Sequence, residues 1–251
     1  SEDHLHLLQS VQSLNIHHPP PTKDWSQVSV PPASHEGTVR RAVSQLEETL
    51  SNMMKTLVEV EMKRVQKFAV DVTLDPETAH HDLILSDDGK QVKHAQVQQP
   101  RLLNNPQRFS SRLCVLGTQK FSSEKLYYEV QVKQKSKWAL GVVRESVNRK
   151  GLITPSPQNG YWTICLINGN EYIALDDPPV LLSLKSGPQK VGVFVDYEEG
   201  LVSFYDVEAA ALIYSFTGCS FKEKLLPFFY PGRYHDGINS APLIISPVGV
   251  N

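Results

Sequence analysis

The hydrophobic period changes once along this chain, near Val70, and that change limits what it can fold into. From Glu36 to about Phe68 the apolar residues fall at Val39, Val43, Leu46, Leu50, Met53, Leu57 and Val60, at spacings of four and three in turn. This is the a/d heptad of a helix with one apolar seam. The stretch contains no proline, and its one glycine, Gly37, lies at its edge. A helix of about 30 residues runs roughly 45 Å, and few compact domains cover a seam of that length, so a dimeric helical assembly is expected. After Val60 the next seam position is Arg64, and the apolar pattern moves to Val65 and Phe68.

From Val70 onward the period is two. Short apolar runs predict strands at "VDVTL", "DLILS", "RLCVLG", "KLYYEVQV", "WALGVV", "GYWTICLI", "EYIAL", "VGVFVDYEEGLVSFYDV" (a hairpin), "ALIYSF", "LPFFY" and "PLIISPV". Turn residues such as Asp87-Asp88-Gly89, Asn168-Gly169-Asn170 and Glu199-Gly200 separate them. Many short strands at this spacing, with no interleaved helical pattern, predict a mainly β fold: an antiparallel sandwich of two sheets. In the hairpin, Phe194 and Phe204 are candidates for the core between the sheets.

Ahead of the helix lie two further segments. Residues 1–16 carry Leu5, Leu7, Leu8, Val11 and Leu14 and read as the end of a helix. Residues 17–35 hold Pro19-Pro20-Pro21 and Pro31-Pro32, which fix φ and remove donors, so an extended strap is expected there. The resulting division is 1–16, 17–35, a helix at 36–69 and a β domain at 70–250. The chain starts at Ser1 with neither initiator Met nor signal peptide and reads as part of a longer protein.

Composition excludes several function classes. A net charge of -2 speaks against nucleic-acid binding, which rests on neutralising many phosphates. No apolar run reaches the roughly 18 residues that span a bilayer. Cys114, Cys165 and Cys219 are odd in number and widely spaced, which suits neither a disulfide framework nor a zinc site. Histidines occur as the pairs His17-His18 and His80-His81, but adjacent strand side chains point to opposite faces and no cysteine stands at ligand spacing. No catalytic residue, metal site or cofactor is expected.

Three clusters remain to be weighed. Asp196, Glu198 and Glu199 could divide acid and base roles as a hydrolase would need. They sit at a hairpin turn, however, where carboxylates are solvated or bond loop backbone. His235 and Asp236 have no "GxSxG" elbow to present a serine. Arg144, Arg149 and Lys150, in "RESVNRKG", could hold a small anion, the alternative being a solvated loop.

The motifs "VTLDPETAHHDLILSDDGKQV", "FSSEKLYYEVQV", "WALGV", "NGYWTI", "VGVFVDYEEGLVSFYDV", "LPFFYPG" and "APLIISPV" occur in the order of a PRY-SPRY domain. With the long helix before them, the chain resembles the tripartite-motif (TRIM) proteins, in wording the bloodthirsty-like subgroup. The resemblance implies a jelly-roll-like PRY-SPRY sandwich, with PRY at about 70–120 and SPRY at about 121–250. It implies a coiled-coil homodimer on which the 36–69 helix folds back, and a cytoplasmic ubiquitin ligase as parent. Zinc and a ubiquitin-conjugating enzyme would bind only the RING and B-box, which this chain lacks.

For target binding, the resemblance points to Ala139, Cys165 and Ile167, whose positions commonly line the family's pocket. Their smaller side chains here differ from the bulky ones of several members, so no relative's ligand carries over. The loops add Tyr172, Arg233 and Tyr234, residue types that anchor protein interfaces. For Ile167 and Tyr172 core packing is equally compatible with period two. The expected partner is a protein; a small anion of the butyrophilin type, held by Arg144, Arg149 and Lys150, is the alternative.

Overall fold

The computed structural model describes residues 36–96, 105–235 and 237–249. Expectations for 1–16 and 17–35 lie outside the described residues. The chain divides into two units, residues 1–50 and 51–251. Helix α1 spans Glu36–Gln66. In the first unit its seam residues Val39, Val43, Leu46 and Leu50 are exposed, and in the second so are Met53, Leu57 and Val60.

The second unit is a two-sheet antiparallel sandwich. One sheet contains β1 (Leu83–Leu85), β2 (Gln91–His94), β13 (Leu243–Ser246), β4 (Lys125–Gln131), β9 (Lys190–Asp196), β10 (Leu201–Asp206) and β11 (Ala211–Phe216), in that order. The other contains β3 (Val115–Leu116), β12 (Leu225–Tyr230), β5 (Trp138–Arg144), β6 (Tyr161–Ile167), β7 (Glu171–Ala174) and β8 (Val180–Leu182). The fold is mainly β, as the change of period predicts. "VDVTL" differs: it makes a single isolated bridge, Leu74 to Gly117, with another just before it, Ala69 to Tyr127. Two strands without an alternating apolar pattern, β2 and β8, were not legible.

Period two sorts the side chains of each strand between two faces. Leu126, Tyr128 and Val130 of β4, Val191, Val193 and Val195 of β9, and Phe204 of β10 point between the sheets. They meet Trp138, Leu140 and Val142 of β5, Trp162, Ile164 and Leu166 of β6, and Phe229 of β12. Gly141 sits in this core with φ +147°, and a Cβ there would stand 2.1 Å from the Trp162 carbonyl oxygen, so the close approach of β5 and β6 requires glycine.

The opposite parity makes two outer faces, and both are apolar. On the seven-stranded sheet, Tyr127, Phe194 and Tyr205 lie beneath Met62 and Val65 of α1, with Val58 and Phe68 at the margin. Phe194 is therefore not in the core between the sheets: it faces Tyr127 and Ser203 across the ladder and its ring lies tilted, 6.1 Å from that of Phe68. Within residues 51–66 the docked positions are turned roughly 140° around the helix from Met53, Leu57 and Val60, so docking leaves those seam residues open.

The acidic hairpin is structural. Asp196 is buried, lies 2.7 Å from Lys125 Nζ and accepts the Glu199 N–H at 3.2 Å. Burial by itself would raise its pKa, but Lys125 and the turn N–H groups outweigh this and hold the carboxyl below its usual value. Glu198 and Glu199 are exposed.

Candidate functional site

The outer face of the six-stranded sheet holds the site. Leu116, Ala139, Val143, Tyr161, Cys165, Leu226 and Phe228 make it apolar, and Phe109, Val147 and Ile153 from connecting segments cover part of it. Phe109 and Tyr161 meet Phe228 edge-on, at 6.4 and 5.7 Å. At the end where β5 begins and β6 and β12 finish, the cover stops. There a pocket of about 270 Å³ opens, walled by Ala139, Cys165, Ile167, Leu175, Phe228 and Tyr230, with Ile153 and Pro155 on one side. That volume corresponds to roughly nine waters at about 30 Å³ each.

The ladder explains the convergence. Ala139 stands opposite Cys165 and Tyr230, and Cys165 opposite Ile173. All four therefore share one face. Cys165 acts as a small hydrophobe, since burial first, against a counter-pull from Lys137, pushes its thiol up to about 11.

Of the six residues expected to bind a target, Ala139, Cys165 and Ile167 come together in this pocket. Tyr172 does not. It stands opposite Leu166, on the other face, and tilts against Trp138 at 6.3 Å. It lines a separate, more polar cleft of about 470 Å³ with Lys135, Leu184, Gly187 and Gln189. Lys135 there donates to the Ala241 carbonyl at 2.6 Å, and burial draws its ammonium down to about 8. Arg233 is exposed and within electrostatic reach of Tyr230. Tyr234 is half-buried, with its backbone N–H donating to His94 Nδ1 at 3.1 Å. Neither Arg233 nor Tyr234 lines the pocket wall.

The pocket wall also includes Leu175, Phe228, Tyr230, Ile153 and Arg112, which sequence reasoning did not single out. For the strand residues a signal existed: in "EYIAL" the parity that includes Ile173 and Leu175 is the one shared with Cys165, and in "LPFFY" Phe228 and Tyr230 alternate with the inward Phe229. Ile153 and Arg112 arrive from loops, where no period exists to be read.

The basic trio does not assemble into an anion cradle. Arg149 donates from Nη1 to the Gln107 carbonyl at 3.1 Å and from Nη2 to the Glu145 carbonyl at 3.2 Å. Lys150 Nζ donates to the Asn105 carbonyl at 2.8 Å. Both cations thus fasten the 105–107 segment. Arg144 stands apart from that work, its stem against Gly160, where an added Cβ would come within 2.4 Å of it.

The histidine pair also departs from expectation. His80 and His81 lie in a turn with rings stacked 4.3 Å apart, and their ligand atoms and a carboxylate oxygen of Asp82 lie within 4.8 Å of one another. His80 Nδ1 already accepts the Asp82 N–H at 3.1 Å, so its lone pair serves the turn. Asp236 lies outside the described residues.

With this geometry in view, three family models match in series: the TRIM protein coiled-coil region over residues 1–56, the SPRY-associated domain over 72–121 and the SPRY domain over 125–241. The chain belongs to the TRIM family. It carries that family's PRY-SPRY domain. Human pyrin is 44% identical over 211 residues, covering 84% of this chain and 27% of pyrin. The E3 ubiquitin-protein ligase TRIM21 of Bos taurus is 44% identical over 187 residues, 74% of this chain and 40% of that protein. The chain thus spans between about a quarter and a half of such relatives. The crystal structure of the TRIM65 PSpry domain superposes with a TM-score of 0.62 at 23% identity, covering 74% of this chain and 94% of that one, which shows the shared fold. No described helix is long and apolar enough to cross a membrane.

Proposed function

We propose that this TRIM chain is the target-recognition and dimerisation half of a cytoplasmic RING-type E3 ubiquitin ligase. Its PRY-SPRY domain takes a protein target in the pocket of Ala139, Cys165, Ile167, Leu175 and Tyr230. The observation that carries this reading is the uncovered end of an apolar outer face. The equivalent face of the other sheet is capped by α1, whereas this one ends in an open concavity. An apolar concavity left open to solvent is the default candidate for a binding site.

Dimerisation rests on the seam. Val39, Leu46, Leu57 and Val60 are each about 60% exposed although they keep heptad spacing. A second copy of the helical segment would bury them. Two copies of one weak site on a dimer raise avidity for a multivalent target with no new contact. The RING and B-box of the parent would hold zinc and recruit the ubiquitin-conjugating enzyme.

The test is affinity capture with the parent protein and two variants. Ile167→Asp should lose the target while leaving the thermal midpoint nearly unchanged. Leu57→Asp should yield monomers in light scattering. Undiminished capture by Ile167→Asp would remove the pocket from the account.

A further inference from the structure

The pocket is apolar, but its rim is not neutral. Arg112, Lys137 and Arg233 are all exposed, and they stand on three different segments: before β3, before β5 and after β12. Arg112 and Lys137 line the pocket directly, and Arg233 reaches Tyr230 electrostatically, as Arg112 also does. Arg112 Nη2 donates to the Ile153 carbonyl at 3.1 Å, which fixes the guanidinium at the pocket's edge without neutralising it.

Among the described residues none of the three makes an ion pair. No carboxylate lines the pocket. The nearest in the ladder, Glu171 opposite Ile167, accepts a hydrogen bond from Asn168 Nδ2 at 3.1 Å. In a chain of net charge -2, three unpaired cations around one apolar concavity are a local feature and do not follow from composition.

Resting on the reading of this pocket as the target site, we infer that it takes an acidic, extended peptide segment that seats one large apolar side chain. The pocket admits about one such side chain. Two of the cations line its wall and the third acts on Tyr230, so a chain seated there meets positive charge beside its anchor. Opposite charges at a rim contribute mainly to selectivity and encounter rate, and they exclude basic sequences by repulsion.

The experiment measures fluorescence anisotropy of short labelled peptides against the intact dimer. Each peptide has a central Leu, Phe or Trp flanked by Glu, by Gln or by Lys. Glu-flanked peptides should bind tightest, Gln-flanked ones roughly tenfold weaker and Lys-flanked ones weaker still, with the preference fading as salt screens it. Arg112→Glu with Lys137→Glu should turn the preference toward Lys-flanked peptides; Arg233→Glu alone, further from the wall, should reduce it. Equal affinity for all three classes, lost in Ile167→Asp, would overturn the acidic partner while sparing the pocket. Binding that Ile167→Asp leaves intact would overturn the pocket as the seat. No binding by any peptide would overturn the extended segment as its occupant.

Discussion

Gln66 Nε2 donates to Glu129 Oε1 at 3.1 Å, joining the last residue of α1 to a carboxylate buried on β4. The same carboxylate accepts the Tyr127 hydroxyl at 3.0 Å and faces Lys190 Nζ at 3.3 Å. The end of the helix is thus built into the sheet, by polar bonds as well as by Met62 and Val65. Glu129→Ala leaves Tyr127 and Lys190 without their acceptor. The expected loss is about 2–3 kcal/mol, below the full cost of an unpaired buried charge because Lys190 keeps some contact with water. Gln66→Ala should cost about 1 kcal/mol. Urea unfolding of both variants checks the order.

Two substitutions on one helix should separate its two faces. Val65 is fully buried on the sandwich, whereas Leu57 is 63% exposed. Val65→Asp buries a charge with no partner and should lower the sandwich's stability by about 3 kcal/mol or more. Leu57→Asp should leave the thermal midpoint of the sandwich in place and change the association state. If Val65→Asp left the midpoint unaltered, α1 would not be docked as described.

His80 predicts a loss of stability just below neutral pH. Burial, then the neighbouring His81, lowers its pKa from the ordinary value of 6.5, more than Asp82 and the Ser110 carbonyl raise it. The folded state therefore holds fewer protons than the unfolded state once the pH drops below about 6.5. The contribution is fully present above that pH and is lost as the pH falls through the folded value. His80→Gln should make the pH slope of stability shallower between about 6.5 and 5. A residual slope is expected from His94, which burial and Arg233 depress in the same direction. Denaturation midpoints across pH measure both.

Adjacent residues on β7 should behave differently. Ile173 shares the pocket's face with Cys165, whereas Tyr172 packs between the sheets against Trp138. Ile173→Asp puts a charge on that face beside the pocket and should weaken target capture at nearly unchanged stability, since the residue is only half-buried. Tyr172→Ala should cost about 2 kcal/mol and leave capture at the level expected for the folded fraction. The opposite pattern would mean that β7 is shifted by one residue.

Which face Tyr172 occupies also marks how far the sequence could be read. Period two gives each strand two sets of residues and does not say which set points inward, because here both outer faces are apolar as well. Family resemblance was enough to group Ala139, Cys165 and Ile167, which share one pocket; Tyr172 was chosen by residue type, and parity places it on the other face. Phe194 failed for the same reason, its outer face being dry under α1. β2 carries a single apolar residue, Val92, and β8 is a three-residue apolar run with no alternation, so their partners in the ladder define them. Arg112 and Ile153 belong to loops, whose placement depends on the finished sandwich. The helix, by contrast, was legible from Val39 to Val60, because its heptad is independent of everything it docks on.

The open end of the six-stranded sheet's outer face is the proposed seat of the target. The most direct measurement is quantitative capture from lysate by the dimeric parent, wild type against Ile167→Asp, with the thermal midpoint of each recorded. Proteins enriched by the wild type should fall to background with the variant while the midpoints agree. Equal enrichment by two equally stable proteins would contradict that seat.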